Sequence, residues 1–298
     1  MKNIKKRTGC MDARWYEPFL YLLPAIIFFG LFIYYPFFKT FLSSFFVVDS
    51  MGRLKAFIGV ENYIKVLTGK NFIIAVKNTF IYVVMASPLS IFIAFVLAIL
   101  ANKKTITSRV YETLFALTMA MSMSVSAMIF KMAYNPTIGI LNYILKTKIN
   151  WLNDDKWAMI AISAISVWMN IGYNFIFLLA AVRSIPNDIL DSCAIDGAGY
   201  IRKACRIVLP LVSPTLFYLI CTSMAKSMMM SSLVLIFTNS AALSTTANVE
   251  TMISYMYKQA VNNLNYNDAF AAAMIAFVIT FFLLLLSFKF EKKGVYYN

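Results

Sequence analysis

Six stretches of the chain are apolar for long enough to cross a bilayer, separated by short polar, basic or turn-rich segments. A helix needs about 20 largely apolar residues to cover roughly 30 Å of hydrocarbon. The runs fall at residues 19–48, 80–101, 113–130, 157–182, 211–237 and 269–288. The first is long and holds Pro24 and Pro36, so a kink or a start at the membrane interface is expected. Lys2, Lys5, Lys6 and Arg7 precede it, as in a signal peptide. The run is too long for that and lacks a small-residue cleavage site, so it reads as an uncleaved anchor.

This pattern predicts an all-α polytopic membrane protein with a segment 1–18, a six-span region 19–288 and a tail 289–298. Composition agrees: 61% of the 298 residues are hydrophobic and 13% charged, against about a quarter charged in soluble domains. The net charge of +14 changes the picture only in detail. It would suit nucleic acid in a soluble protein, but in a membrane protein it is a topology signal and an attraction to anionic lipid; no nucleic-acid partner is expected. The basic ends, with Lys103, Lys104, Arg109, Arg183, Arg202, Lys203 and Arg206, outweigh the Lys and Arg of the alternate loops. Both termini are therefore expected on the cytoplasmic side of a bacterial plasma membrane.

The longest connecting inner segment, 183–210, is the place to seek a cytoplasmic partner. Pro186 suits a first helical position, and Asp188 and Asp191 sit where a helix N-terminus favours negative charge. Ile189, Leu190, Cys193 and Ala194 share one face, Gly197 can take a positive-φ turn and Gly199 loosens the next step. Ile201, Ala204, Cys205 and Val208 then follow at helical spacing until Pro210, which is expected to end the second helix. A helix–turn–helix with small residues at its bend would let a partner approach the backbone. On these grounds alone it is equally a plain amphipathic surface hairpin.

Ile185, Pro186, Ile195, Asp196, Gly197, Ala198, Ile207, Leu209 and Pro210 match in order the EAA motif of ABC importer permeases, whose carbohydrate branch reads roughly I-P-x-E-L-x-E-A-A-x-I-D-G-A and later I-x-L-P. Asp188, Asp191, Ser192 and Cys193 are conservative replacements, and Ala204 stands where an aromatic residue is usual. Tyr21-Leu-Leu-Pro24, Tyr35-Pro36, Phe57 to Tyr63, Lys77-Asn-Thr79, Tyr134 to Asn142, Trp168 to Pro186 and Tyr255 to Ala260 extend the resemblance over nearly the whole chain. The chain thus resembles the maltose and glycerol-3-phosphate type of permease. The resemblance implies a type I importer fold, in which two permeases, normally different chains, form the pathway. Two ATPases clamp beneath it, and an extracytoplasmic binding protein delivers a sugar or oligosaccharide. It assigns ATPase coupling to Asp191, Ser192, Cys193, Ala194, Asp196 and Gly197.

No catalytic centre is expected in the chain itself. There is no G-x-x-x-x-G-K-[ST] loop for ATP, and no histidine for a triad, metal site or proton shuttle. Cys10, Cys193, Cys205 and Cys221 form no C-x-x-C pair, and Asp154-Asp155 reads as a turn rather than a metal site. No cofactor and no metal follow. Lys226 is informative, because a charge within a span must face water or a partner, or else snorkel from a span that ends early. Trp168, Asn170, Tyr173 and Asn174 in the fourth span, with Lys226, Met229 and Ser231 in the fifth, are the candidate pathway residues. Asn side chains could equally join helices, and Met could simply fill gaps. The family's T-x-G-G-P turn is replaced by Thr238-Asn-Ser-Ala-Ala. The rival readings are an ABC permease for a non-sugar solute such as glycerol phosphate or a polyamine, a secondary transporter, or a membrane-embedded enzyme. A secondary transporter would call for paired repeats and buried acids, neither of which is evident.

Overall fold

The computed structural model describes residues 17–102, 105–195, 197–238 and 249–294. The first span begins with α1 (Glu17–Phe29), passes through a π turn at Gly30–Tyr34 and continues as α2 (Tyr35–Ser43). The π turn has a local cause. Pro36 has no N–H and would crowd the carbonyl four residues back, so the chain widens and Tyr35 N–H bonds Gly30 O instead. The helix stops at Ser43, short of the expected 48, because residues 46–48 enter a small antiparallel hairpin of β1 (Phe46–Val48) and β2 (Leu54–Phe57).

After α3 (Glu61–Thr68), the 31-residue α4 (Lys70–Leu100) forms the centre of the bundle, starting ten residues before the expected span. Its buried stripe is rich in small residues: Ala75 and Thr79, then Ala86, Ser90, Ala94 and Ala98, each set spaced four apart. Small side chains let membrane helices approach closely, which matters where lipid supplies no hydrophobic drive between them. The 26-residue helix 158–183 packs against α4 and against the third span.

The third span is not the continuous helix expected over 113–130. It consists of α5 (Ile106–Ala120) and α6 (Met123–Ala133), bent by 102° at Met121–Ser122, both of which are extended. Beyond α7 (Ile140–Leu145), α8 (Ala158–Arg183) returns through the membrane. The loop 183–210 follows as α9 (Asn187–Ile195) and α10 (Tyr200–Lys203), a π turn at Ala204–Val208 and α11 (Leu209–Leu211). Pro210 therefore does not end the second helix. The π turn again absorbs the proline, with Leu209 N–H bonding Ala204 O. The fifth span is α12 (Ser213–Met228), broken at Met229–Ser231 and resumed as α13 (Ser232–Thr238). The chain ends with α14 (Met252–Tyr257), a π turn and α15 (Tyr266–Gly294). Among the described residues five helices can span a membrane, and six when the bent pair counts as one.

The end of the bundle that holds the hairpin and α14 is tied by polar contacts. Thr79 Oγ1 accepts from Met252 N–H, Thr251 Oγ1 donates to Met230 O at 2.6 Å, and Asn267 Oδ1 accepts from Val48 N–H. Asp268, 8% exposed, accepts from Lys65 at 2.8 Å. At the other end Arg183 bonds Glu112 at 2.6 Å and Ala101 O at 3.2 Å, linking α8, α5 and α4.

Candidate functional site

Helices α8 and α12 face each other with polar residues at helical spacing. Ser166, Asn170 and Tyr173 stand on α8; Tyr218, Thr222 and Lys226, four residues apart, stand on α12. Together with Thr118, Met119, Met121 and Met123 from the α5–α6 break and Met169, four of these side chains (Ser166, Asn170, Tyr173 and Lys226) line a cavity of about 210 Å3. The break explains why the cavity exists. Non-helical backbone at membrane depth is tolerated where it lines a cavity or lies within protein, and Met121–Ser122 does the former.

Within the cavity, Lys226 Nζ lies 4.0 Å from the centroid of the Tyr173 ring. Tyr173 and Tyr218 hydroxyls are 3.2 Å apart, and Asn170 Nδ2 donates to Ser166 O at 2.8 Å. The arrangement offers one cation, neutral hydrogen-bonding groups and flexible thioether walls, which can bind a polar solute but contain no nucleophile–base pair. No group of three or more metal-ligating side chains occurs among the described residues.

Of the expected pathway residues, the structure brings Asn170, Tyr173 and Lys226 together and disperses the rest. Asn174 is 0% exposed and donates to Ser90 Oγ at 3.1 Å, so it is a link between α8 and α4 rather than a cavity residue. Trp168 packs edge-on to Phe130, with ring centroids 5.3 Å apart. Met229 and Ser231 fall at the α12–α13 break, outside the cavity lining. Met229 is 65% exposed there. The residues that sequence reasoning missed are Thr118, Met119, Met121, Met123, Ser166 and Met169. The run Met119-Ala-Met-Ser-Met carries no proline or glycine to signal a break.

The loop 183–210 forms a second surface. Ile185, Leu190, Val208 and Val212 are buried against Ala98, Ala101 and Val182, so the loop is docked on the C-terminal ends of α4 and α8. Helix α9 ends in a Schellman turn: Gly197 has φ +70° and Ala198 N–H bonds Cys193 O at 3.0 Å. Lys203 Nζ donates to Leu190 O at 2.9 Å and joins the two arms. The expected apolar faces are displaced. Ala204 and Val208 are buried, but Ile201 and Cys205 are exposed. Ile189 is likewise exposed where Leu190 is buried. Asp191 and Ser192 lie exposed on α9, Cys193 is half-buried, Ala194 lies in the same helix, and Asp196 falls outside the described residues. Ser192 Oγ and Cys193 Sγ bond carbonyls of their own helix, at Asp188 and Ile189. The outward surface thus combines Asp191 with exposed Ile195, Tyr200 and Ile201.

Comparison with known proteins returns a consistent set. Residues 78–290 match the family described as binding-protein-dependent transport system inner membrane component. The chain is 30% identical over 285 residues to the sn-glycerol-3-phosphate transport system permease protein UgpA of Agrobacterium fabrum, covering 94% of this chain and 96% of that one. It is 29% identical to the probable ABC transporter permease protein YurN of Bacillus subtilis, covering 93% of this chain and 96% of that one. A solved structure of a bacterial alginate ABC transporter, in complex with an alginate pentasaccharide-bound periplasmic protein, superposes with a TM-score of 0.80 at 21% identity. That match covers 93% of this chain and 94% of the other, and at this identity it speaks to the fold.

Proposed function

Because this chain belongs to the binding-protein-dependent transport system inner membrane components, we propose that it forms half of the translocation pathway of an ATP-driven importer for a sugar or sugar-like solute. The carrying observation is the cavity at the α5–α6 break, lined by Asn170, Tyr173 and Lys226. One chain supplies neutral hydrogen-bonding groups and a cation on one wall, and a second permease would supply the other. The relatives' names bear on the solute: one is a glycerol-3-phosphate permease, and the alginate importer shares the fold. A glycerol-phosphate-type solute is accordingly the second reading.

In this scheme the chain does not itself hydrolyse ATP. The loop 183–210 receives the movement of a separate ATPase dimer through Asp191, Ser192, Cys193, Ala194, Asp196 and Gly197. An extracytoplasmic binding protein delivers solute to the opposite face, and both termini lie in the cytoplasm. Supporting this, the loop is seated on the C-terminal ends of α4 and α8, and α8 carries Ser166, Met169, Asn170 and Tyr173 of the cavity. Movement at the loop would therefore be carried along rigid helices to the solute.

Purification of the tagged chain from native membranes in mild detergent tests the proposal. Recovery of an ATPase, a second six-span permease and a solute-binding protein is the expected result. A chain recovered alone and active in liposomes without ATP would return the reading to a secondary transporter.

A further inference from the structure

Lys226 is a cation within a membrane span with no counter-ion beside it. No acid lines its cavity, and no carboxylate lies within ion-pair distance of its Nζ among the described residues. Lys226 is exposed in the single chain, and a charge within a span is accommodated where it faces a water-filled cavity or a partner. Its neighbour is the π face of Tyr173, which is a weaker partner than an ionised oxygen acceptor. An ammonium group has three N–H donors, and a ring face does not use them as oxygen acceptors would.

The surroundings narrow what could use them. Asn170 donates its amide to Ser166, leaving Oδ1 without a protein donor among the described residues. That oxygen is an acceptor suited to a solute hydroxyl. Thr118 and Ser166 add neutral hydroxyls, and methionines form yielding walls. The cavity therefore pairs one positive charge with neutral groups that match a polyhydroxylated body.

We propose that the transported solute is anionic, a sugar or polyol bearing a phosphate or carboxylate, and that Lys226 leaves the Tyr173 ring to receive the charged group. This rests on the importer reading above and specifies its solute.

The test uses the complete importer with its binding protein, reconstituted in lipid nanodiscs, and reads solute-stimulated ATP hydrolysis. Two pairs of probes differ in charge: sn-glycerol 3-phosphate against glycerol, and a uronic-acid trimer against maltotriose. At least one charged probe is expected to act at a concentration tenfold or more below its neutral counterpart, and which of the two does so separates phosphate from carboxylate. Lys226→Met and Lys226→Gln should raise the half-maximal concentration of that probe at least tenfold, and Lys226→Arg no more than threefold.

Stimulation by a neutral probe equal to or better than its charged counterpart overturns the anionic solute while leaving a sugar importer in place. An unchanged response in both neutralised variants removes Lys226 from solute binding. Loss of the second permease on purification of those variants makes Lys226 a counter-ion within the assembly and also overturns the proposal. Silence toward all four probes, with the ATPase still bound, refutes the sugar and polyol reading itself.

Discussion

The Lys226 ammonium sits 4.0 Å from the Tyr173 ring centroid, across the gap between α12 and α8. This contact places the ammonium, carried on the last turn of α12, at the cavity lining. The ring, and not its hydroxyl, makes the contact. Tyr173→Phe keeps the π face and loses the bond to Tyr218, so uptake should stay within about threefold of wild type. Tyr173→Leu removes a contact of about 1–2 kcal/mol that Lys226 must give up when solute binds, so apparent solute affinity should rise roughly five- to thirtyfold. Concentration-dependent uptake by the two variants checks this, and equal defects would shift the role to the hydroxyl.

Gly172, next to Tyr173 in α8, faces α5. A Cβ there would collide with the backbone carbonyl of Phe115 and with Thr118 Oγ1, so α5 approaches α8 only because no side chain intervenes. Gly172→Ala should push the helices apart and cost about 1–3 kcal/mol, as overpacking generally does. Gly30→Ala is the control, since nothing lies within 4 Å of its Cβ position. Thermal unfolding in detergent should show a clear loss for the first variant and little change for the second.

The long apolar runs made α4, α8, α12 and α15 legible, because lipid imposes length and polarity directly on sequence. The bend at Met121–Ser122 was not legible, since its stability comes from cavity and protein around it rather than from a breaker residue. Asn170 and Asn174 illustrate the same limit. They are one helical turn apart and look alike in sequence, yet α4 covers Asn174 while the bent third span leaves Asn170 at a cavity. Which neighbour covers which residue is a property of packing between distant segments. The π turns at Gly30–Tyr34 and Ala204–Val208 fall between these cases: the proline was visible, but its absorption into a continuing helix was not.

Arg183 closes α8 immediately before the inner loop and binds both Glu112 and the carbonyl of Ala101. The pair is only partly buried, at 24% and 31% side-chain exposure, so its stability contribution should be about 1 kcal/mol or less. Its positional effect should be larger, because it fixes where the loop departs from three helices. Arg183→Met is expected to leave the melting temperature within a few degrees of wild type. It should also lower uptake per ATP hydrolysed by at least fivefold. Parallel uptake and ATPase measurements in liposomes check the ratio, and an unchanged ratio would reduce the pair to an ordinary surface contact.

Outer packing gives an independent stability prediction. Asp268 is nearly buried at the third position of α15, accepting from Lys65 and from Asn265 Nδ2 at 2.7 Å. Asn265 in turn accepts from Asp268 N–H, so the residues cap the helix reciprocally. Asp268→Ala removes charge-assisted bonds and should cost roughly 1–3 kcal/mol. Lys65→Ala should cost less, because that lysine is largely solvated and leaves Asn265 in place. The order of the two melting temperatures is the check.

Gly197 and Gly199 separate conformation from space at the inner bend. Neither has an atom within 4 Å of a Cβ position, but Gly197 has φ +70° and Gly199 has φ −62°. An added methyl group meets no neighbour at either site, so any difference between the two substitutions comes from the backbone. Gly197→Ala should strain the Schellman turn by about 1–3 kcal/mol, whereas Gly199→Ala should be tolerated. Gly197→Asn should fall between, because asparagine enters the left-handed region more readily. If the bend is the seat of an ATPase subunit, recovery of that subunit with the tagged permease should fall several-fold for Gly197→Ala. It should follow the order Gly199→Ala, Gly197→Asn, Gly197→Ala from most to least. Equal recovery across the three variants, with the strain confirmed by faster proteolysis of the loop in Gly197→Ala, would place the ATPase contact elsewhere on the inner face.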